Sequence, residues 1–177
     1  MQEFFNNIMP NVVERFPTFL QAIWDTIIMV IWSGSIAFGL GMLFGVMLTV
    51  TKPGGIMENK VVYQILDKVI NFFRSIPFVI LLTWLIPISR AIMGAINIEG
   101  AIIPLIVGTV PFLSRQIESA LAETDKGMIE AATSMGISKM GIIFRVYLRE
   151  GIAAIARGTT ITMISLVGLT AMAGAVG

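Results

Sequence analysis

The sequence predicts an all-α, polytopic membrane protein with four spanning helices. Of its 177 residues, 56% are hydrophobic and only 13% are charged, so the chain is far more apolar than an average soluble domain. The charged residues cluster between long uncharged runs, which cross or nearly cross a bilayer as helices. Residues 1–177 are therefore expected to form a single transmembrane domain.

The first span is predicted between Asp25 and Lys52, where no charged residue interrupts an apolar sequence. Residues 1–22, which contain Pro10 and Pro17, are predicted to form an interfacial lead-in to this span.

Within the first span, Gly41 and Gly45 form a GxxxG pattern, and Ser35 and Gly39 have the same spacing. Small residues let helices approach closely in lipid, so the pattern indicates a helix contact, either within the chain or with a second copy. Contact within the chain is favoured, because lone GxxxG motifs are common in spans.

Residues 51–74 are predicted to form a loop and then an amphipathic helix outside the lipid core, after a Pro-Gly-Gly turn at 53–55. A short second span follows between Arg74 and Arg90. Both arginines are expected to reach opposite interfaces as anchors, in preference to a gating or substrate role. Pro77 is expected in the first helical turn of this span.

The third span is predicted over residues 100–114, where Pro104 and Pro111 share one face and are expected to bend the helix. Residues 115–157 are polar enough to be a loop, and the uncharged residues 158–177 are predicted to be the fourth span. Because that run ends without an interfacial anchor, the chain is expected to be truncated at its C-terminus.

Lysine and arginine are distributed unevenly along the chain. All of them except Arg15 and Arg90 fall in the segments 51–74 and 115–157. Loops rich in these residues stay in the cytoplasm, so both segments are predicted to be cytoplasmic and the N-terminus to lie outside.

The sequence contains no cysteine and no histidine. The usual serine, cysteine and zinc hydrolases need an imidazole or thiolate, so neither a catalytic residue nor a metal or other cofactor is expected. The net charge of +1 gives no reason to expect nucleic-acid binding. No predicted span carries an ionisable residue at its centre, which disfavours an ion-coupled secondary carrier.

The segment 115–157 contains a predicted helix–glycine–helix unit. Asp125 is expected to cap a helix that ends near Met135, with Gly136 in the left-handed conformation, and Ser138 to cap a second helix. The second helix has a predicted broad apolar side made of Met140, Ile143, Phe144, Tyr147 and Leu148.

The first helix of this unit has a small, shallow apolar face suited to a groove in another protein. The face is predicted to consist of Met128, Ala131, Ala132 and Met135. The alternative is a solvated linker between spans.

Glu130-Ala131-Ala132, then Gly136, then Val146, Tyr147 and Leu148 resemble the EAA loop of ABC-importer permeases, although Arg149 stands where that family has proline. The resemblance runs from about Trp24 to the last residue. The stretches NFFRSIPFVILL, VGTVPFLSRQIESAL and ISLVGLTAMAGAVG are most similar to the methionine-uptake branch of the family.

This resemblance implies a homodimeric permease of the bacterial inner membrane, with a fifth span beyond this chain, two cytoplasmic ATP-binding subunits and an external substrate-binding lipoprotein. It also implies that the EAA helix sits in a cleft of the ATP-binding subunit, where Glu130 meets a basic group or a helix N-terminus. The alternative for Glu130 is a solvated charge one turn after Lys126. Competing functions are import of another small solute, a secondary carrier and a membrane scaffold.

The fourth span carries hydroxyl groups on one face. They could line a translocation path, or each could bond back to a carbonyl one turn earlier, which is favoured because nothing charged shares the face. The residues of this face are Thr159, Thr162, Met163, Leu166 and Thr170.

Overall fold

The computed structural model describes residues 15–93 and 99–176, which are almost entirely helical. The predicted all-α membrane fold is confirmed. The helices are α1 (Phe16–Thr51), α2 (Lys60–Ser75), α3 (Phe78–Met93), α4 (Glu99–Ala122), α5 (Lys126–Ser134), α6 (Lys139–Ile142), a π-helical turn (Ile143–Tyr147), α7 (Leu148–Glu150) and α8 (Ile152–Val176).

Helix α1 is 36 residues long and begins at Phe16, ten residues before the predicted span begins at Thr26. Pro17 stands in its first turn, where the missing N–H would have no partner within the helix in any case. Residues 16–22 of the predicted lead-in are therefore continuous with the helix of the first span. Pro10 and the rest of that segment lie outside the described residues.

Helices α2 and α3 meet at a bend of 103°. The side chain of Asn59 caps α2 by accepting from the N–H groups of Val61 and Val62. Pro77 lies just before α3 instead of in its first turn, and its carbonyl accepts the N–H groups of Ile80 and Leu81. Within the described residues, three helices are long and apolar enough to cross a membrane, or up to four if this bent pair counts as one span.

Helix α4 continues through Pro104 and Pro111 and runs two turns past the predicted end of the third span. The helix is longer than predicted because Arg115, which was predicted to lie in the loop, forms ion pairs. One guanidinium nitrogen lies 2.6 Å from the Glu118 carboxylate, and the other pairs with Asp67 on α2. A paired charge can remain in a helix of the bundle, so the loop proper begins after Ala122.

The core lies where α1 packs against α4, and glycines bring the two helices together. A Cβ atom at Gly41 would lie 2.8 Å from Leu113, and one at Gly45 would lie 2.5 Å from Ile117. The GxxxG pattern therefore serves a contact within the chain, as the sequence favours. Gly39 is exposed and has no neighbouring atom within 4 Å of such a Cβ.

We expect Gly45→Leu to lower the free energy of unfolding by about 1–3 kcal/mol, because the added side chain overpacks the contact with Ile117. The matched control is Gly39→Leu on the same helix, which should leave stability nearly unchanged. Thermal unfolding of the detergent-solubilised protein, followed by tryptophan fluorescence, measures both variants. Equal losses for the two would contradict the packing described for α1.

Candidate functional site

The α5 helix is fixed at both ends by local hydrogen bonds. The Asp125 carboxylate accepts from the N–H groups of Gly127 at 2.6 Å and Met128 at 3.2 Å. At the other end Gly136 has φ +75°, and the N–H of Ile137 donates to Ala132 at 3.1 Å. Both the predicted cap and the predicted left-handed glycine are confirmed.

The exposed face of α5, called the coupling face below, consists of Met128, Ala131 and Met135. Met135 is 72% exposed and Met128 is 39% exposed. Glu130 is also exposed and forms no ion pair within the part of the chain that the structure describes, so its carboxylate is available either to solvent or to a partner.

Ala132 was predicted on the exposed face, and the structure corrects this. Its exposed fraction is only 2%, and it packs in the apolar cluster that includes Leu113, Ile117 and Leu121 of α4. Ala132 lies at the edge of the apolar stripe, next to the half-buried Ile129, and α5 turns this edge toward the cluster. The elements that α5 itself packs against are α6 and the π-helical turn, which belong to the same cluster.

The second helix of the helix–glycine–helix unit has the predicted cap but does not remain α-helical. The Ser138 hydroxyl accepts the N–H of Gly141 at 3.2 Å, as predicted. After one α-helical turn, residues Ile143–Tyr147 form a π-helical turn, and the helix then continues through Arg149. A π-helical turn holds more residues than an α-helical turn, so the register of the buried side shifts.

The predicted apolar side of the second helix is only partly buried. Ile143 and Tyr147 of this side are buried, Met140 and Phe144 are exposed, and Ile142, which was not predicted on this side, is buried. Leu148 is half-buried. Burial raises the pKa of the Tyr147 phenol, which therefore stays neutral over the physiological range.

The predicted path residues of α8 are mostly packed inside the bundle. Thr162, Leu166 and Thr170 are buried, and Thr162 and Thr170 donate to the carbonyls of Gly158 and Val167. The alternative of local back-bonding therefore holds for these two hydroxyls. The half-buried Met163 faces Gly34 of α1, and the Thr159 hydroxyl is buried without a partner in the described structure.

A cavity of about 270 Å³ lies where α2, α3, α4 and α8 meet. Sequence reasoning missed it because its wall comes from four separate segments, and no local pattern reports such a meeting. Its lining includes Arg74, Phe78, Thr109, Phe112, Thr162 and Leu166. Two of the five predicted path residues, Thr162 and Leu166, thus contact this space.

Residues 40–177 match the family described as binding-protein-dependent transport system inner membrane component. The chain is 48% identical over 155 residues to the D-methionine transport system permease protein MetI of Yersinia pestis, which covers 87% of this chain and 71% of that protein. It is 45% identical over 156 residues to the protein of that name from Escherichia coli, with coverages of 88% and 72%.

A solved structure described as an inward-facing conformation of the MetNI methionine ABC transporter has a similar fold. Its matching chain superposes with a TM-score of 0.90 at 43% sequence identity, and the match covers 93% of this chain and 76% of that chain.

We expect Gly136→Val to loosen the junction between α5 and α6, since a branched residue at φ +75° costs of order 1–3 kcal/mol. Trypsin should then cut the solubilised protein after Lys139 at least about tenfold faster, because local opening controls cleavage. Gly54 has the same φ in the α1–α2 turn, so Gly54→Val is the control, which strains a left-handed turn elsewhere and should leave cleavage after Lys139 unchanged. Unchanged cleavage of Gly136→Val at Lys139 would show that the left-handed turn is not required.

Proposed function

The chain belongs to the family of binding-protein-dependent transport system inner membrane components, and we propose that it is the permease subunit of an ATP-driven importer that carries methionine into the cytoplasm by alternating access. The observation that carries this proposal is the agreement in both sequence and fold with methionine transporters along almost the whole chain. The permease itself performs no catalysis, and ATP hydrolysis belongs to a separate subunit.

The coupling face of α5 is the proposed contact with the ATP-binding subunit. Met135 and Met128 present apolar surface that a lone helix gains nothing by exposing to water, and Ala131 between them allows close approach of another backbone. Glu130 and Gly136 flank this face, the first as an unpaired charge and the second as the stiff turn. Because Ala132 is buried in the same apolar cluster as Ile117 and Leu121 of α4, movement of α5 would be passed through this cluster to a spanning helix.

The remaining partners follow from the same assignment. A second copy of the permease would complete the translocation path, two ATP-binding subunits would dock on the cytoplasmic side, and a substrate-binding lipoprotein would deliver methionine outside. The bias of lysine and arginine supports an external N-terminus and cytoplasmic loops after Thr51 and after Ala122. The face of α8 with Thr159, Thr162, Met163, Leu166 and Thr170 is the proposed side toward the path, and the cavity beside Thr162 and Leu166 supports this.

We expect Ala131→Arg to block assembly with the ATP-binding subunit, because a long charged side chain would enter the centre of an apolar contact. Pull-down of that subunit by the solubilised permease should fall at least about tenfold, and ATP-driven uptake of labelled methionine into proteoliposomes should fall with it. Membrane yield should stay near that of the wild type. Ala132→Arg is unsuitable for this test, because it would disrupt the chain's own core.

The control is Lys60→Glu, which changes an exposed charge in the other predicted cytoplasmic segment. If this variant loses the partner while Ala131→Arg keeps it and transports, α5 is not the coupling helix. If the wild-type transporter, loaded with its binding protein and supplied with ATP, takes up no methionine, the proposed function itself is wrong.

A further inference from the structure

We propose that the cavity between α2, α3, α4 and α8 binds the transported amino acid during its passage, with the Arg74 guanidinium pairing with the α-carboxylate and the apolar wall holding the thioether side chain. This inference rests on the proposed function and adds to it a binding site within the permease. It also replaces the prediction that Arg74 is only an interfacial anchor.

The position of the cavity separates Arg74 from the cytoplasmic ends of the helices that line it. Phe112 precedes the loop-side end of α4 at Ala122, and Thr162 follows the loop-side end of α8 at Ile152, each by about 15 Å at 1.5 Å per residue. Arg74 contacts the same space as these two residues. An arginine that only anchored α2 to headgroups would have no reason to lie so far along both spanning helices.

Asp67 explains how Arg74 is held there. Asp67 lies two turns earlier on the same face of α2 and pairs with Arg115 of α4, which fixes α2 beside α4. Within the described residues Arg74 itself forms no ion pair, and no carboxylate lines the cavity. Its guanidinium is thus available to a carboxylate from outside, which it can bind through two parallel hydrogen bonds.

Thr109 provides a second, independent indication of a polar ligand. Its side chain lines the cavity and is 2% exposed, yet its hydroxyl has no hydrogen-bond partner in the described structure. Threonines in spans usually bond back to a carbonyl one turn earlier, as Thr162 does across the same cavity. A buried hydroxyl without a partner requires an explanation, and a bound polar group supplies one.

The rest of the wall fits the remaining parts of methionine. Phe73, Phe78 and Phe112 contribute aromatic surface, and sulfur packs favourably against such rings. Among the described residues that line the cavity, none is acidic. The ammonium group of the ligand would therefore contact the faces of the aromatic rings. The carboxylate should therefore contribute more to binding than the amine, and this difference can be measured.

The experiment uses the complete transporter of permease and ATP-binding subunits in nanodiscs, without the external binding protein. Three ligands are compared by equilibrium binding: methionine, methioninol, which lacks the carboxylate, and 4-(methylthio)butyrate, which lacks the amine. The wild type should bind methioninol at least about tenfold more weakly than methionine, and 4-(methylthio)butyrate within about threefold of it. In Arg74→Gln the preference for methionine over methioninol should disappear, whereas the control Lys68→Gln, on the same helix but outside the cavity, should keep it.

Two further variants keep the test decisive if Arg74→Gln fails to assemble. Phe112→Trp should reduce binding of all three ligands by filling the cavity, and Thr109→Val, which keeps the shape, should weaken methionine binding severalfold. The inference is overturned if the transporter imports methionine but Arg74→Gln retains the carboxylate preference, or if Phe112→Trp and Thr109→Val bind like the wild type. Absence of methionine import by the wild type would instead reject the proposed function.

Discussion

One apolar stripe of α4, formed by Leu113, Ile117 and Leu121, belongs to the cluster that connects the long helices with α5. On one side it receives Gly41 and Gly45 of α1, which have no side chains to hold the helices apart. Near its loop-side end the same stripe belongs to the cluster that buries Ala132 of α5, and Leu121 would contact a Cβ at Gly151 just before α8. A displacement of α5 therefore cannot be absorbed locally, because close-packed interiors transmit movement to their neighbours.

The ion pairs of Arg115 hold α2 against α4, and the bundle depends on this contact as well. A charged residue in a spanning helix is costly unless it is paired, and Arg115 contacts Glu118 on its own helix and Asp67 on α2. These contacts extend α4 beyond the apolar run and hold α2 against it. They also bring Arg74 to the cavity, so a polar contact near one end of the bundle determines what lines its interior.

The sequence was informative wherever the deciding interaction is local. Asp125, Gly136 and Ser138 were predictable because caps and left-handed turns depend on residues within one turn of the chain. The burial of Ala132 and the extension of α4 past Arg115 were not predictable, since both depend on residues far away in sequence, Ile117 and Asp67. The π-helical turn was missed because sequence patterns assume a constant helical period.

In the proposed mechanism, α5 moves with α4 as one rigid unit when ATP is consumed. Hydrogen exchange of the backbone amides from Leu121 to Tyr147, in the complete transporter at rest and during ATP turnover, tests it most directly. Rigid coupling predicts that the amides of Met135, Gly136, Ile137 and Ile142, which donate hydrogen bonds within this chain, exchange equally slowly in both states. Faster exchange of these amides during turnover would mean that the unit opens as it works, and would contradict the account.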